Sequence, residues 1–255
     1  MKFGKRLRQQ VQETLPDWRD SFLSYKELKK FLKLIPSDAP TMNQYFPAET
    51  FQFVNLLNRE VEKLNAFFLG KEEDFVIRHK ELQQRIQMVV HMWGAEGSQP
   101  SEAIYKHEIG KIKKDLVDFH GEMILLENYS IINYTGFAKI LKKYDKRTGC
   151  LLRYPFIQKV LEQPFFVTDL VSKLVKECES TMELVFLTAE EARSKDATNA
   201  GAALEEGGIF RKTVAALFTM QEIRSGSSTY SHFSLPPLNL SDADLMLSFH
   251  LTSAF

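Results

Sequence analysis

The sequence predicts an all-α protein: a short N-terminal helical hairpin packed on a bundle with two long antiparallel helices, followed by further C-terminal helices. Three observations carry this expectation. Apolar residues recur every three or four positions through most of the chain, whereas the apolar–polar alternation of strands is scarce. Helix-start and helix-stop residues punctuate the periodic runs. With 44% hydrophobic content in 255 residues, the chain can bury one sizeable core and carry a small appendage.

The elements follow in order. Residues 2–14 read as a short basic helix that stops near Pro16. Ser24-Tyr25-Lys26-Glu27 has the S-x-x-E form of a capping box, which starts a helix at Ser24 and runs it to about Ile35. Pro36, Pro40 and Pro47 then mark a loop. Residues 48–91 form a long helix whose core face holds Phe53, Leu56, Leu57, Val61, Leu64 and Phe68, then Phe75, Leu82, Ile86 and Val89. Gly70 is a point at which it can bend. Gly94-Ala-Glu-Gly-Ser-Gln-Pro-Ser101 reads as a flexible loop, and a second long helix over 102–127 returns antiparallel to the first. Asn133 is then the expected N-cap of a separate helix ending near Thr148-Gly149. Short helices follow at 153–161 and 166–187. From Thr188 the composition shifts to Ala, Glu, Ser and Gly, a linker pattern. A helix over 208–224 places Phe210, Val214, Leu217 and Phe218 on one side, and the remaining tail reads as mostly disordered.

Charge is where the sequence says most about function. Lys26, Lys29, Lys30 and Lys33 share the i, i+3, i+4, i+7 spacing of Lys139, Lys142, Lys143 and Lys146. Each quartet falls within about a 100° arc of a helix, opposite an apolar arc. The apolar arcs are Leu28, Phe31, Leu32 and Ile35 in one, and Phe137, Ile140, Leu141 and Tyr144 in the other. The formal net charge of zero conceals this segregation. Residues 1–33 hold nine basic and four acidic residues (+5), and residues 139–159 hold seven basic residues against Asp145 (+6), leaving −11 for the rest. Local charge on a neutral chain indicates a site for something small and highly anionic. A solvated face usually mixes signs, because like charges at these spacings repel. Four such pairs per quartet forfeit on the order of 2 kcal/mol in all without a ligand.

Other classes of chemistry find little support. No apolar run reaches 18 residues, the amino terminus lacks the apolar stretch of a signal peptide, and Gly4 stands where a myristoylated glycine does not. Cys150 and Cys178 suggest neither a metal pair nor a disulfide scaffold, so an intracellular protein is expected. His79, His91, His107, His120, His232 and His250 show no metal-ligand spacing. Gly70-Lys71 and Gly110-Lys111 lack the rest of a phosphate-binding glycine loop, and no G-x-S-x-G occurs. The Lys71-Glu-Glu-Asp74 run reads as an exposed helix turn, and Trp18 and Trp93 as packing residues. The expectation is a binding module with no enzymatic activity, no metal and no cofactor. Direct binding of nucleic acid or another polyanion is the alternative. It is disfavoured because neither quartet contains arginine, few aromatics interleave with the charge, and no basic tail exists. An enzyme acting on the bound anion would need acids in the patch. Only Glu27 and Asp145 lie there, and Asp145 is better explained as a helix-end or lysine-pairing residue.

Three blocks give the chain a recognisable likeness: Met1-Lys-Phe-Gly-Lys5, Tyr25-Lys-Glu-Leu-Lys-Lys30, and Asn133-Tyr-Thr-Gly-Phe-Ala-Lys-Ile-Leu-Lys-Lys-Tyr-Asp-Lys146. Together and in this order they resemble an SPX domain over residues 1–165, with residues 166–255 as a C-terminal helical extension carrying a linker and tail. The chain most resembles the stand-alone plant SPX proteins of phosphate-starvation signalling. It is too short for the transporter, polymerase or ubiquitin-ligase modules attached to SPX domains elsewhere. The resemblance implies a ligand, inositol hexakisphosphate or inositol pyrophosphates, and a partner, a MYB coiled-coil phosphate-starvation-response transcription factor inhibited by the ligand-loaded protein. It also implies signalling and transcription repression in phosphate homeostasis, in the nucleus with the cytoplasm as a second compartment. Neither membrane nor direct nucleic-acid binding is expected. By the family's motifs, Tyr25, Lys29 and Lys142 match its phosphate-binding cluster, and Lys139, Lys143 and Lys146 its lysine surface. Lys2 and Lys5 fall in the segment the family places beside the ligand, and Lys26 completes the set from the first quartet.

Overall fold

The computed structural model describes residues 3–36, 48–93, 102–193, 207–225 and residue 235. Among them are seven α-helices, one 3-10 helix (Pro16–Ser21) and no strand: α1 (Phe3–Glu13), α2 (Tyr25–Leu32), α3 (Ala48–Trp93), α4 (Glu102–Thr148), α5 (Arg153–Leu161), α6 (Asp169–Arg193) and α7 (Gly207–Ser225). The chain divides into two compact units. One holds α1, the 3-10 helix, α2, α3 to Glu73, α4 from Leu125, and α5. The other holds α3 from Asp74, α4 to Ile124, α6 from Leu170, and α7. The expected loops at 37–47 and 94–101, most of the linker and the tail lie outside the described residues.

In the first unit, α3 and α4 run antiparallel. Tyr144 donates to Thr50 Oγ1 at 3.1 Å and stacks on Phe53, while Phe67 lies against Tyr129 near the other end. Here α4 departs from expectation. The helix predicted to end at 127 and the one predicted to start at Asn133 are a single element. The cause is visible in burial: almost every residue from 125 to 138 is buried, so this stretch has no amphipathic stripe to read. Its polar residues, which resemble a break in sequence, are bonded instead. Thr135 returns its hydroxyl to the Ile131 carbonyl, and Asn128 donates to Gln10 Oε1 of α1.

The predicted capping box at Ser24 also does not form. Glu27 turns outward and pairs with Lys30 at 3.0 Å, and the Ser24 hydroxyl accepts from Lys63. The Ser24 N–H that Glu27 would have taken donates to Glu60 of α3 at 2.8 Å. A tertiary carboxylate, itself held by Lys63 at 2.7 Å, has replaced the local one. Helix α2 is accordingly anchored on α3, and it ends at Leu32, short of the predicted Ile35.

Helix α4 stops where expected. Gly149 takes φ 72°, the left-handed conformation that favours glycine, and lets the chain turn into α5. Asp145 then accepts the N–H groups of Leu152 and Arg153 at 3.0 and 3.2 Å, so the one acid of the second lysine arc serves a helix end.

In the second unit α3 and α4 are cross-linked by Arg78–Glu122 and Arg85–Asp115, both at 2.6 Å, around a Phe75–Phe119 edge contact. Helix α6 docks through His79–Glu177 and His120–Glu179. It runs on to Arg193, beyond the predicted linker boundary at Thr188, because Ala189-Glu-Glu-Ala-Arg193 are good helix formers. The face of α7 differs from the predicted one. Thr213, Ala216, Thr219 and Met220 are buried, whereas Phe218 is 58% exposed. The helix approaches α4 at Gly121, where an added Cβ would sit 2.7 Å from Ile209 and 2.9 Å from Thr213. Ile209 and Thr213 fill the space left by the missing side chain of Gly121, and Phe218 falls outside this contact.

Candidate anion-binding site

Two bonds set α2 beside the last part of α4. At one end the Leu23 N–H donates to Asn133 Oδ1 at 2.9 Å. At the other, Arg147 donates from Nε to the Ile35 carbonyl at 2.8 Å and from its terminal nitrogen to the Lys33 carbonyl at 3.0 Å. Residue number rises in the same direction on both helices between these ties, so the helices run parallel. The two stretches are of similar length, about 20 Å at 1.5 Å per residue. The lysine quartets are therefore side by side in register, Lys26 toward the Lys139 end and Lys33 toward the Lys146 end.

All eight lysines are exposed. Beneath them Leu28, Leu32, Ile35, Phe137, Ile140, Leu141 and Tyr144 are buried, as the periodicity predicts. Burial of the apolar arcs fixes the rotation of each helix and leaves the cationic arcs outward.

Helix α1 closes one end. Phe3 meets the Tyr25 ring edge-on at 5.1 Å, and Gly4 packs so that an added Cβ would lie 3.4 Å from that ring. A Cβ at Gly136 would collide with Leu23 and come 3.6 Å from Phe3. Phe3 thus bridges Tyr25 and Gly136, and the next turns of those helices carry Lys29 and Lys139. Tyr25 is buried, and burial raises the pKa of its phenol, keeping it a proton donor. The ammonium of Lys139 has its pKa lowered, first by partial burial and then by the charges of Lys142, Arg153 and Arg6.

These influences bring Arg6 of α1 and Arg153 of α5 to the Lys139 end of the stripe. Both were missed as site residues. Each contributes to a basic segment in the sequence, but nothing in its spacing ties it to the lysine pattern. Lys5 is exposed on α1 beside Arg6, and Lys26 is exposed next to Tyr25. Lys142, Lys143 and Lys146 continue along α4, while Lys2 lies outside the described residues. Lys30 shares its charge with Glu27. A phenol donor, a row of ammonium groups and two guanidiniums suit a compact anion carrying several phosphate groups. Among the described residues no three His, Cys, Asp or Glu side chains converge as metal ligands would.

Comparison with known proteins agrees with this architecture. The SPX domain family matches residues 1–44 and 83–160. The chain is 57% identical to SPX domain-containing protein 3 of Arabidopsis thaliana over 257 residues, spanning 99% of this chain and 98% of that protein. It is 53% identical to SPX domain-containing protein 3 of Oryza sativa subsp. japonica, over 93% and 88% of the two. Among solved structures, the SPX domain of Chaetomium thermophilum Glycerophosphodiester Phosphodiesterase 1, in complex with inositol hexakisphosphate, aligns with a TM-score of 0.53. That alignment has 24% identity and covers 73% of this chain and 99% of the other, a likeness of fold. With relatives this similar over nearly their whole length, the chain belongs to the SPX domain family, among the stand-alone plant SPX proteins.

Proposed function

We propose that the protein senses inositol polyphosphates or pyrophosphates and, when loaded, binds and inhibits a MYB-type phosphate-starvation-response transcription factor in the nucleus. One observation carries the ligand: two exposed lysine stripes on parallel helices, closed at one end by Tyr25, Arg6 and Arg153. The likeness to an SPX domain captured with inositol hexakisphosphate supports the same reading. The partner and the compartment rest on the family resemblance.

Charge repulsion between the lysine stripes links ligand to partner. A row of ammonium groups repels itself, and a polyphosphate neutralises both stripes at once, tightening α1 and α2 on α4. A transcription factor that recognises the tightened surface then binds more strongly with ligand present, and each raises the affinity of the other by the same factor.

Calorimetry on the full chain at 150 mM salt tests the first step. Inositol hexakisphosphate should bind in the low micromolar range or tighter, about −8 kcal/mol, and orthophosphate at millimolar strength or worse. Equal affinity for the two would end the sensor reading. Titrating the factor's MYB and coiled-coil segment with and without saturating inositol hexakisphosphate tests the second step. The expected gain is about 5- to 150-fold, and an unchanged affinity would rule out ligand-gated inhibition.

A further inference from the structure

Arg147 lies in the basic segment that the sequence counts toward anion binding, yet its guanidinium is turned to the backbone of α2. Its Nε and a terminal nitrogen donate to the carbonyl oxygens of Ile35 and Lys33. The Lys33 carbonyl belongs to the C-cap of α2, where the dipole favours a cation and no intrahelical donor is available, and that of Ile35 lies two residues further on. Ile35, just beyond the helix, is only 1% exposed, so this end of α2 is seated against the core.

The two ends of α2 are held unequally. The start is fixed from α3 and α4 together: Asn133 takes the Leu23 N–H, Glu60 takes the Ser24 N–H, and Lys63 donates to the Phe22 carbonyl and the Ser24 hydroxyl. Among the described residues, the side-chain hydrogen bonds given to the other end come from Arg147. An α-helix of eight residues does not hold its own conformation in water, so its position follows from such ties. Lys29, Lys30 and Lys33 sit on the turns that Arg147 secures.

We propose that Arg147 is a positioning residue of the anion site. It holds the last turn of α2 so that the lysines there stay in register with those of α4, and does so without contacting the ligand. The forked guanidinium reaches two carbonyls at once, which a lysine ammonium at the same position cannot match. The functional part of this inference rests on the proposed binding of inositol phosphate, and the backbone part stands apart from it.

The test uses the full chain and inositol hexakisphosphate. Arg147→Ala should weaken binding about tenfold in an otherwise wild-type chain, but less than about threefold in a Lys29→Ala background, because the group it positions is gone. Combined with Lys5→Ala, on α1 and away from the end of α2 that Arg147 holds, the two losses should multiply. Arg147→Lys should recover part of the affinity. Without ligand, the amides of Lys33 and Leu34, bonded to Lys30 and Phe31, should exchange faster in Arg147→Ala, while the amide of Leu23 is unchanged. Wild-type affinity in Arg147→Ala would overturn the proposal. So would an equal loss in the Lys29→Ala background, which would place Arg147 on the ligand itself. Should Arg147→Ala fail to fold, Arg147→Lys decides: wild-type affinity and exchange in that variant would refute the role. Should the wild-type chain bind no inositol hexakisphosphate, the proposed function falls, and the amide exchange alone still reports whether Arg147 holds α2.

Discussion

Asn133 and Leu23 stand 110 residues apart and are joined by one buried hydrogen bond, the Leu23 N–H donating to Asn133 Oδ1 at 2.9 Å. The other side of the same carboxamide donates to the Tyr129 carbonyl at 2.8 Å, so a side chain with no exposed surface is satisfied at both ends. Through it α4 sets where α2 begins, and with that the start of the lysine register.

Asn133→Ala therefore leaves the Leu23 N–H buried without its acceptor. The expected loss is about 1–3 kcal/mol of stability, read from urea unfolding. Asn133→Asp keeps the acceptor and should lose less if the carboxyl stays protonated. A loss below about 0.5 kcal/mol in the alanine variant would show that water or a shifted backbone replaces the bond.

Two helical glycines should respond in opposite directions. Gly136→Ala drives a methyl into Leu23 and against Phe3, and should cost about 1–3 kcal/mol while also weakening inositol hexakisphosphate binding. Gly70 has nothing within 4 Å of its missing Cβ, and α3 passes through it as one helix. Gly70→Ala should stabilise the protein by about 0.4–1 kcal/mol in the same assay.

Within the site, Tyr25, Lys29 and Lys142 should matter more than Lys30 or Lys33. Charge-assisted bonds to phosphate are each worth roughly 1.5–3 kcal/mol, so Tyr25→Phe, Lys29→Ala and Lys142→Ala combined should abolish calorimetric binding. Circular dichroism should meanwhile show unchanged helix content. Lys30 already shares its charge with Glu27, and its replacement should cost less than that of Lys29. A folded triple variant that still bound would refute the assignment.

Lys139 gives the site a pH dependence. Its pKa lies below the ordinary 10.5 through partial burial and through Lys142, Arg153 and Arg6. Between the lowered value and 10.5 the unfolded chain keeps a proton that the ligand-free fold has released. The stability of the ligand-free protein accordingly rises with pH across that window. Affinity for polyphosphate moves the other way, because neutral Lys139 no longer attracts phosphate. The loss should begin below pH 10.5, and Lys139→Arg should remove it, since a guanidinium stays charged there. An identical profile in the Lys139→Arg variant would assign the loss to another group.

The sequence by itself determined the helical class, the long α3, the stop at Thr148-Gly149 and the outward direction of both lysine quartets. Each follows from a local cause: a 3.6-residue period, a glycine after a periodic run, or an arc of charge opposite an arc of leucine and phenylalanine. The motif likeness added the family, which the similarity to the plant SPX proteins bears out. Tertiary structure decided what periodicity cannot carry. Residues 125–138 are buried almost all round, so their continuity within α4 left no stripe to detect. The cap of Ser24 came from Glu60 rather than Glu27, because a carboxylate fixed by Lys63 in the core outcompetes one free to point at water. The buried face of α7 follows from the approach of Ile209 and Thr213 to Gly121, a partner on α4 that the period of α7 does not specify. The gathering of Arg6 and Arg153 around Lys139, and the turning of Arg147 onto α2, depend on which helices meet, and for Arg6 and Arg147 the residues that meet stand more than a hundred positions apart.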